Sequence, residues 1–264
     1  MKMWQQFCLV LFFPVLCGAV EYSELEVYGS QVANLHELEL ETVSTVSSDA
    51  RTDLTNRILR SSVEAHYGLT NSWEIAAYLD YTQPVDFAME YSAFRSHLRT
   101  QFAEPGEWPV DTGFYFEVTL PRNFRAKDVG FDFKPIFEKQ FSRLSLKLNP
   151  TVEFSHVAHV LGQNSVTLDP DGDLLAASDQ SFSNEKSWLV SYNLGTSVAY
   201  RFQQRLQAEL AYFIGFSDQT ALLMPMLTLQ IVNRLGVQIG YGLGLTSQTE
   251  QQLALLRLEY ELYF

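Results

Sequence analysis

Charged side chains recur at every second position in several stretches of this sequence. Alternate residues of a β-strand point to the same side, so each such row would line one face of a strand. A basic row facing an acidic row across a lumen would create a transverse field, which selects solutes by charge and dipole. The candidate set consists of one basic row and two acidic rows: Arg95, His97 and Arg99; Glu39 and Glu41; Glu259 and Glu261.

Two other groups of residues have compositions that could bind a metal ion. His156 and His159 have a spacing of three, and residues 169–173 hold three aspartates. An EF-hand calcium loop needs a glycine at its sixth position and a glutamate at its twelfth, where this sequence has Gln180. We interpret the histidine pair as part of a solvated loop and the aspartates as a turn. We therefore expect no metal site and no cofactor.

Twelve stretches with period-2 alternation of apolar and polar residues would position the charged rows. Tight turns alternate with longer connections, and the longest connection is the loop at residues 156–187. Short turns at one end and longer loops at the other are typical of transmembrane barrels, whereas a soluble sandwich has no reason to sort its loops. The predicted strands are residues 34–46, 57–69, 73–82, 90–103, 110–120, 130–140, 144–155, 188–202, 205–216, 221–232, 235–246 and 253–264.

The last of these stretches carries the most specific pattern. Leu256, Leu258, Tyr260, Leu262 and Phe264 alternate with charged residues, and the sequence stops on an aromatic. This resembles the C-terminal signature of Gram-negative outer-membrane β-barrel proteins. The resemblance implies an all-β, antiparallel, up-and-down transmembrane barrel of about twelve strands. It also implies that Tyr260, Leu262 and Phe264 form the signal that the barrel-assembly machinery reads.

The beginning of the sequence, residues 1–19, is typical of a cleaved signal peptide. Lys2 supplies the positive start, a following apolar run is too short to span a bilayer as a helix, and Ala19 ends a group of small residues suited to cleavage. After export, the chain would have a short periplasmic lead at residues 20–33 and a barrel at residues 34–264.

Cysteine content and charge narrow the chemistry further. Cys8 and Cys17 are the only cysteines, and both fall in the predicted signal peptide. A lipoprotein signal acylated at Cys17 is an alternative, but Leu16 stands where such signals have a small residue. Cleavage after Ala19 would remove both cysteines, so the mature chain would have no disulfide and no thiol nucleophile. The formal net charge of −13 argues against nucleic acid as a partner.

A short internal segment adds a second resemblance. Residues 67–74 read Y-G-L-T-N-S-W-E. They resemble a strand-turn-strand unit of uncharacterised proteobacterial outer-membrane proteins, some of which are grouped with transporters of aromatic-compound degradation. The resemblance favours a transport role and assigns no ligand residue.

These patterns predict a channel in the cell outer membrane for passive diffusion of small polar or charged solutes. Its partners would be outer-membrane lipid and lipopolysaccharide, the barrel-assembly machinery and an unidentified small solute. Twelve strands lie between the filled interior of eight and the aqueous channel of sixteen, so a surface interaction or structural barrel with a filled lumen, acting through the 156–187 loop, is the alternative.

A weaker alternative is an outer-membrane lipid-modifying enzyme. Some twelve-stranded outer-membrane barrels are phospholipases with a local pattern resembling H-x-S-N-G. Residues 155–159 read S-H-V-A-H, and no G-x-S-x-G occurs elsewhere in the sequence. We therefore expect no catalytic residues and no enzymatic activity.

Overall fold

The computed structural model describes residues 25–48, 57–83, 87–122, 129–160 and 184–263. Within these ranges every regular element is a strand, and no helix there has the length and apolar character needed to cross a membrane. The predicted signal peptide and Phe264 lie outside the described residues.

The strands form one closed antiparallel barrel. Each strand pairs with its neighbours in the chain, and β12 pairs with β1 to complete the circle. The predicted all-β, up-and-down barrel of about twelve strands is confirmed. The strands are β1 (Glu37–Ser48), β2 (Arg57–Gly68), β3 (Trp73–Gln83), β4 (Glu90–Gln101), β5 (Asp111–Pro121), β6 (Gly130–Phe141), β7 (Leu144–Val160), β8 (Asn184–Gln203), β9 (Leu206–Gly215), β10 (Thr220–Val232), β11 (Leu235–Gly244) and β12 (Gln252–Tyr263).

Side chains alternate between the interior and the outer surface of the barrel. On β3, Glu74 and Tyr78 are buried inside, whereas Ile75 and Leu79 are exposed outside. Leu258 on β12 is likewise an exposed apolar side chain. Because strands have a period of two, this pattern surrounds the barrel with apolar side chains. Such a surface is unfavourable in water and is the stable arrangement against lipid.

The longest loop is shorter than the sequence predicted. β7 and β8 stay paired as far as Val160 and Asn184, so both ends of the predicted 156–187 loop belong to strands. The strands extend beyond the apolar alternation because strand pairing needs only backbone hydrogen bonds, which do not depend on that alternation. The rest of that loop, residues 161–183, lies outside the described residues.

Candidate functional site in the barrel lumen

The predicted basic row lies on β4 with its side chains turned into the barrel, but these side chains are paired. Arg95 Nε donates to Asp80 Oδ2 at 2.7 Å, and Arg95 Nη1 donates to Glu117 Oε2 at 3.0 Å. Arg95 and His97 are both buried. Carboxylates from the two neighbouring strands therefore neutralise the row, because burying an unpaired charge is costly.

Glu74 is the centre of this network, and sequence reasoning did not place it in the site. Its side chain has no exposed surface. Arg99 Nη2 donates to Glu74 Oε2 at 2.8 Å, and the backbone N–H of Ala33 donates to the same oxygen at 2.7 Å. The other oxygen, Oε1, lies 3.0 Å from His97 Nε2 and 3.2 Å from His66 Nδ1. One carboxylate thus connects three strands and the chain that precedes β1.

The predicted acidic rows meet where β12 closes on β1. Glu39 is in register with Glu261, and Glu41 with Glu259. Arg257 Nε lies 2.5 Å from Glu41 Oε1. Among the described residues, no basic nitrogen lies within 4.0 Å of the carboxylates of Glu39, Glu259 or Glu261. This wall therefore keeps a concentration of carboxyl groups without a basic partner, while their neighbour Glu41 pairs with Arg257.

Residues 25–33 lie inside the barrel, and we call them the lumen segment. Polar contacts attach the segment to the wall at well-separated points. The backbone N–H of Ser30 donates to Glu138 Oε2 at 2.9 Å. Arg257 Nη2 donates to Glu26 Oε2 at 3.0 Å. With the Ala33 contact to Glu74, these bonds connect the segment to strands on different sides of the barrel.

Tyr28, near the middle of the lumen segment, packs against aromatic and basic side chains of the wall. Its ring centroid lies 4.7 Å from that of Tyr115 and 6.3 Å from that of His97. Lys134 Nζ lies 4.9 Å from the centroid of each of the two tyrosine rings, within the range of a cation–π contact. Asn149 Nδ2 donates to the Tyr28 carbonyl at 3.2 Å. These contacts place an aromatic plug against the charged part of the wall.

The opposite part of the interior is apolar, which the sequence analysis did not predict. Leu25 and Val27 of the lumen segment pack there with inward side chains of β9, β10 and β12, and we call this group the apolar cluster. A Cβ built on Gly240 would lie 2.9 Å from Met226 Cγ, so the glycine makes room for the cluster. The wall members of the cluster are Ala211, Phe213, Leu222, Met224, Met226, Leu253 and Leu255.

A tight corner joins the lumen segment to β1. Both the backbone N–H and the side-chain Nδ2 of Asn34 donate to Glu37 Oε2, at 2.8 and 2.6 Å. His36 has a φ of 64°, a left-handed conformation that reverses the chain direction. A Cβ built on Gly68 would lie 1.8 Å from the Asn34 carbonyl oxygen, so only glycine permits this approach. The corner turns the chain from the lumen into the wall.

The position of the lumen segment differs from the expectation of a periplasmic lead at residues 20–33. Tyr78, Tyr115, Glu117 and Asn149 of the wall are each only 1% exposed. The described residues therefore fill the lumen at this level. The segment has no long alternating pattern, because it lies against a wall instead of forming part of one. Its apolar residues, Leu25 and Val27, were the sequence feature that could have indicated burial inside the barrel.

Solved structures of outer-membrane channels share the fold of this barrel. No family model matches the chain, and no curated protein sequence matches it. An outer membrane channel from Pseudomonas putida F1 aligns with a TM-score of 0.60 and 11% identity, covering 90% of this chain and 100% of that one.

Two porin structures align with slightly lower scores. The KdgM porin in complex with disordered oligogalacturonate has a TM-score of 0.53 and 8% identity, over 85% of this chain and 98% of that one. The NanC porin has a TM-score of 0.52 and 7% identity, over 86% and 99%. At these identities the likeness shows a shared fold. The predicted similarity to outer-membrane barrel proteins is confirmed at that level.

Proposed function

We propose that this protein is an outer-membrane channel for passive diffusion of small polar or charged solutes, and that the lumen segment closes it. One observation carries the proposal. The interior has a polar, charged wall, and it is occupied by a segment that the described contacts hold only through hydrogen bonds, ion pairs and packing. Such contacts can be broken and remade, so the closure is reversible. The fold shared with porins supports the same function.

The location in the outer membrane is part of this proposal. The exposed apolar side chains around the barrel match the lipid-facing band of outer-membrane barrels. Lipid and lipopolysaccharide would cover this band. The barrel-assembly machinery would recognise the end of β12, where Tyr260 is exposed on the outer surface.

Release of the lumen segment would give the channel a charge asymmetry. Arg99, Lys147 and Arg257 all contact the segment and would become available to a solute. Lys147 lies on β7, which is half-way around the barrel from the β1–β12 junction and its carboxyl groups at Glu39 and Glu259. The opened lumen would therefore present basic groups on β4, β7 and β12 together with the carboxyl groups of the β1–β12 junction, which favours polar, dipolar or charged solutes.

A removable covalent tether tests the closure. A Cβ built on Gly195 lies 3.4 Å from Val27 Cγ2, so cysteines at both positions approach the geometry of a disulfide. In planar bilayers, the mature Val27→Cys/Gly195→Cys chain should give discrete conductance steps when reduced and far fewer openings when oxidised. Each single cysteine variant, treated with the same oxidant and reductant, is the matched control.

Ion selectivity then tests the wall. In the reduced chain, Arg99→Ala should shift the salt-gradient reversal potential towards cation selectivity, and Glu259→Ala should shift it towards anion selectivity. Equal conductance of the oxidised and reduced chains would contradict closure by the lumen segment. A correctly folded barrel that stays silent in both states would contradict the channel itself.

The second candidate is a surface interaction or structural barrel with a permanently filled lumen. The observation in its favour is the same burial of the wall around Tyr28. Such a protein would act through its longest loop, which the strand bounds reduce from residues 156–187 to residues 161–183. A correctly folded barrel that shows no conductance in either the oxidised or the reduced state would favour this candidate.

A further inference from the structure

Two histidines and a glutamate converge from three neighbouring strands. His66 lies on β2, Glu74 on β3 and His97 on β4. The two imidazole nitrogens lie 3.2 and 3.0 Å from the same oxygen, Glu74 Oε1, and all three atoms lie within 4.8 Å of one another. We infer that these side chains form a binding site for a late first-row divalent cation, Zn²⁺ in the first instance.

The donor set and its dimensions suit this class of ion. Zn²⁺ takes imidazole nitrogen and carboxylate oxygen at about 2.0–2.2 Å in tetrahedral geometry, which places neighbouring ligand atoms about 3.3 Å apart. Both histidine-to-glutamate distances are close to that value. Two imidazoles disfavour Ca²⁺ and Mg²⁺, which prefer all-oxygen sites. Three protein ligands leave the fourth position for water or a solute.

Strand register makes the space between the two histidine rings. His66 is opposite Ala76 on one side of β3, and His97 is opposite the same Ala76 on the other. The methyl group of Ala76 is buried between them, and Glu74 points inward from the same strand two residues earlier. A larger side chain at Ala76 would occupy the region in which the rings approach each other.

Two of the three ligands, His97 and Glu74, are also held by a second polar group, as metal-binding side chains usually are. The other nitrogen of His97, Nδ1, lies 2.5 Å from the Tyr78 hydroxyl. The other oxygen of Glu74 accepts from Arg99 at 2.8 Å.

The other nitrogen of His66, Nε2, lies beside the carboxylates of Glu64 and Glu41. His66 Nε2 is buried without a hydrogen-bond partner and lies 3.5 Å from Glu64 Oε2. An ion on Nδ1 would place the ring proton on Nε2, directed towards this carboxylate. Binding at Nδ1 is therefore compatible with the surroundings of Nε2.

The surrounding charges allow a cation. Three carboxylates, those of Glu41, Glu64 and Glu74, surround His66. The guanidinium groups of Arg99 and Arg257 oppose them. Any proton on the histidine nitrogens that face Glu74 competes with the ion for these nitrogens. Ion binding must displace such protons, so affinity should fall as the pH is lowered.

No metal site was predicted at these residues, because they have no recognisable ligand spacing along the chain. Only the pairing of three strands brings them together. The site does not depend on the proposed channel function, because binding can be measured on the folded barrel in detergent, whether or not the barrel conducts.

The first experiment measures Zn²⁺ binding to the chelator-treated mature protein by calorimetry and by metal analysis after dialysis. One Zn²⁺ per chain is expected, with Ca²⁺ as the negative control. His66→Gln and His97→Gln should each weaken Zn²⁺ binding at least tenfold. His36→Gln and the double variant His156→Gln/His159→Gln should retain it.

Spectroscopy of the unmodified chain keeps the test decisive if a lumen variant fails to fold, which circular dichroism would reveal. Bound Co²⁺ should give the intense visible bands of a tetrahedral site, and bound Cu²⁺ should show coupling to two imidazoles in pulsed electron paramagnetic resonance. Both signatures should persist in the His156→Gln/His159→Gln variant. Their loss there, or the absence of any bound ion, would overturn the proposal.

Discussion

The two sides of the lumen hold the same segment by different kinds of interaction. On the β3–β4 side, directional hydrogen bonds and charges position it, with Glu74 bound to the Ala33 N–H, Arg99 and a histidine. On the β9–β12 side, Leu25 and Val27 pack without direction among apolar side chains. Apolar burial contributes free energy in proportion to area, whereas a polar network also penalises every incorrect position. We therefore expect the charged side to set where the segment lies and the apolar cluster to contribute most of its affinity.

The largest effect should come from breaking the charged side. Glu74→Gln leaves the buried guanidinium of Arg99 without its ion pair and should lower the free energy of unfolding by about 3–5 kcal/mol. Urea titration of the refolded barrel measures this change. Glu90→Gln is the matched control, because Glu90 pairs with Arg122 at the exposed surface and should cost at most about 1 kcal/mol. Equal effects of the two substitutions would contradict the assignment of Glu74 as the centre of the network.

A cavity in the apolar cluster should have the next largest effect. Met224 is fully buried, so Met224→Ala should cost about 2–4 kcal/mol. Met224→Leu conserves volume and should cost less than about 1.5 kcal/mol. The same urea titration compares the two variants. A loss in the leucine variant as large as that in the alanine variant would indicate a specific role of the thioether instead of packing.

Two neighbouring positions in the lumen segment separate the two kinds of interaction. Leu25→Ala removes packing worth about 2 kcal/mol and should raise the open probability of the channel about thirtyfold. Glu26→Gln weakens a partly exposed ion pair to Arg257, so its effect should be about fivefold or less. Single-channel recording measures both. A larger effect from Glu26→Gln would show that charge, and not packing, supplies the affinity.

The smallest predicted effect concerns two inward glycines of β11. A Cβ on Gly242 would lie 3.1 Å from Leu222 Cδ1, so Gly242→Ala should overpack the apolar cluster and cost about 1 kcal/mol. A Cβ on Gly236 has its nearest neighbour at 3.6 Å, in the charged part of the wall. Gly236→Ala should therefore be close to neutral. Thermal unfolding of the two variants makes the comparison, and indistinguishable midpoints would contradict it.

The wall of the barrel was predictable from sequence because its rules are local. A period of two assigns each residue to one face, and an even number of antiparallel strands brings the first strand beside the last. Together these rules make the acidic rows of β1 and β12 neighbours, and the structure adds the register, which sets Glu39 opposite Glu261 and Glu41 opposite Glu259. The same rules predict which face of β4 carries the basic row.

The contents of the lumen were not predictable by the same rules. The contacts of Glu74 with His66 and His97 depend on the relative register of three strands, which alternation within one strand does not determine. In β10, apolar residues occupy both faces, so the inward position of Met224 carries no distinguishing signal. The conformation of the lumen segment depends on the wall around it. The sequence of residues 25–33 alone therefore does not determine that conformation.

The position of Arg257 has a consequence for the order of biogenesis. This residue lies on the last strand, yet it bridges Glu41 on the first strand and Glu26 in the segment before it. Pairing of β1 with β12 joins the most distant strands in the chain, so it closes the longest loop and loses the most chain entropy of all the strand pairings. The seam of the cylinder and the latch on its contents therefore depend on the same event. Until β12 docks, a nascent barrel is both unsealed along its side and unlatched within.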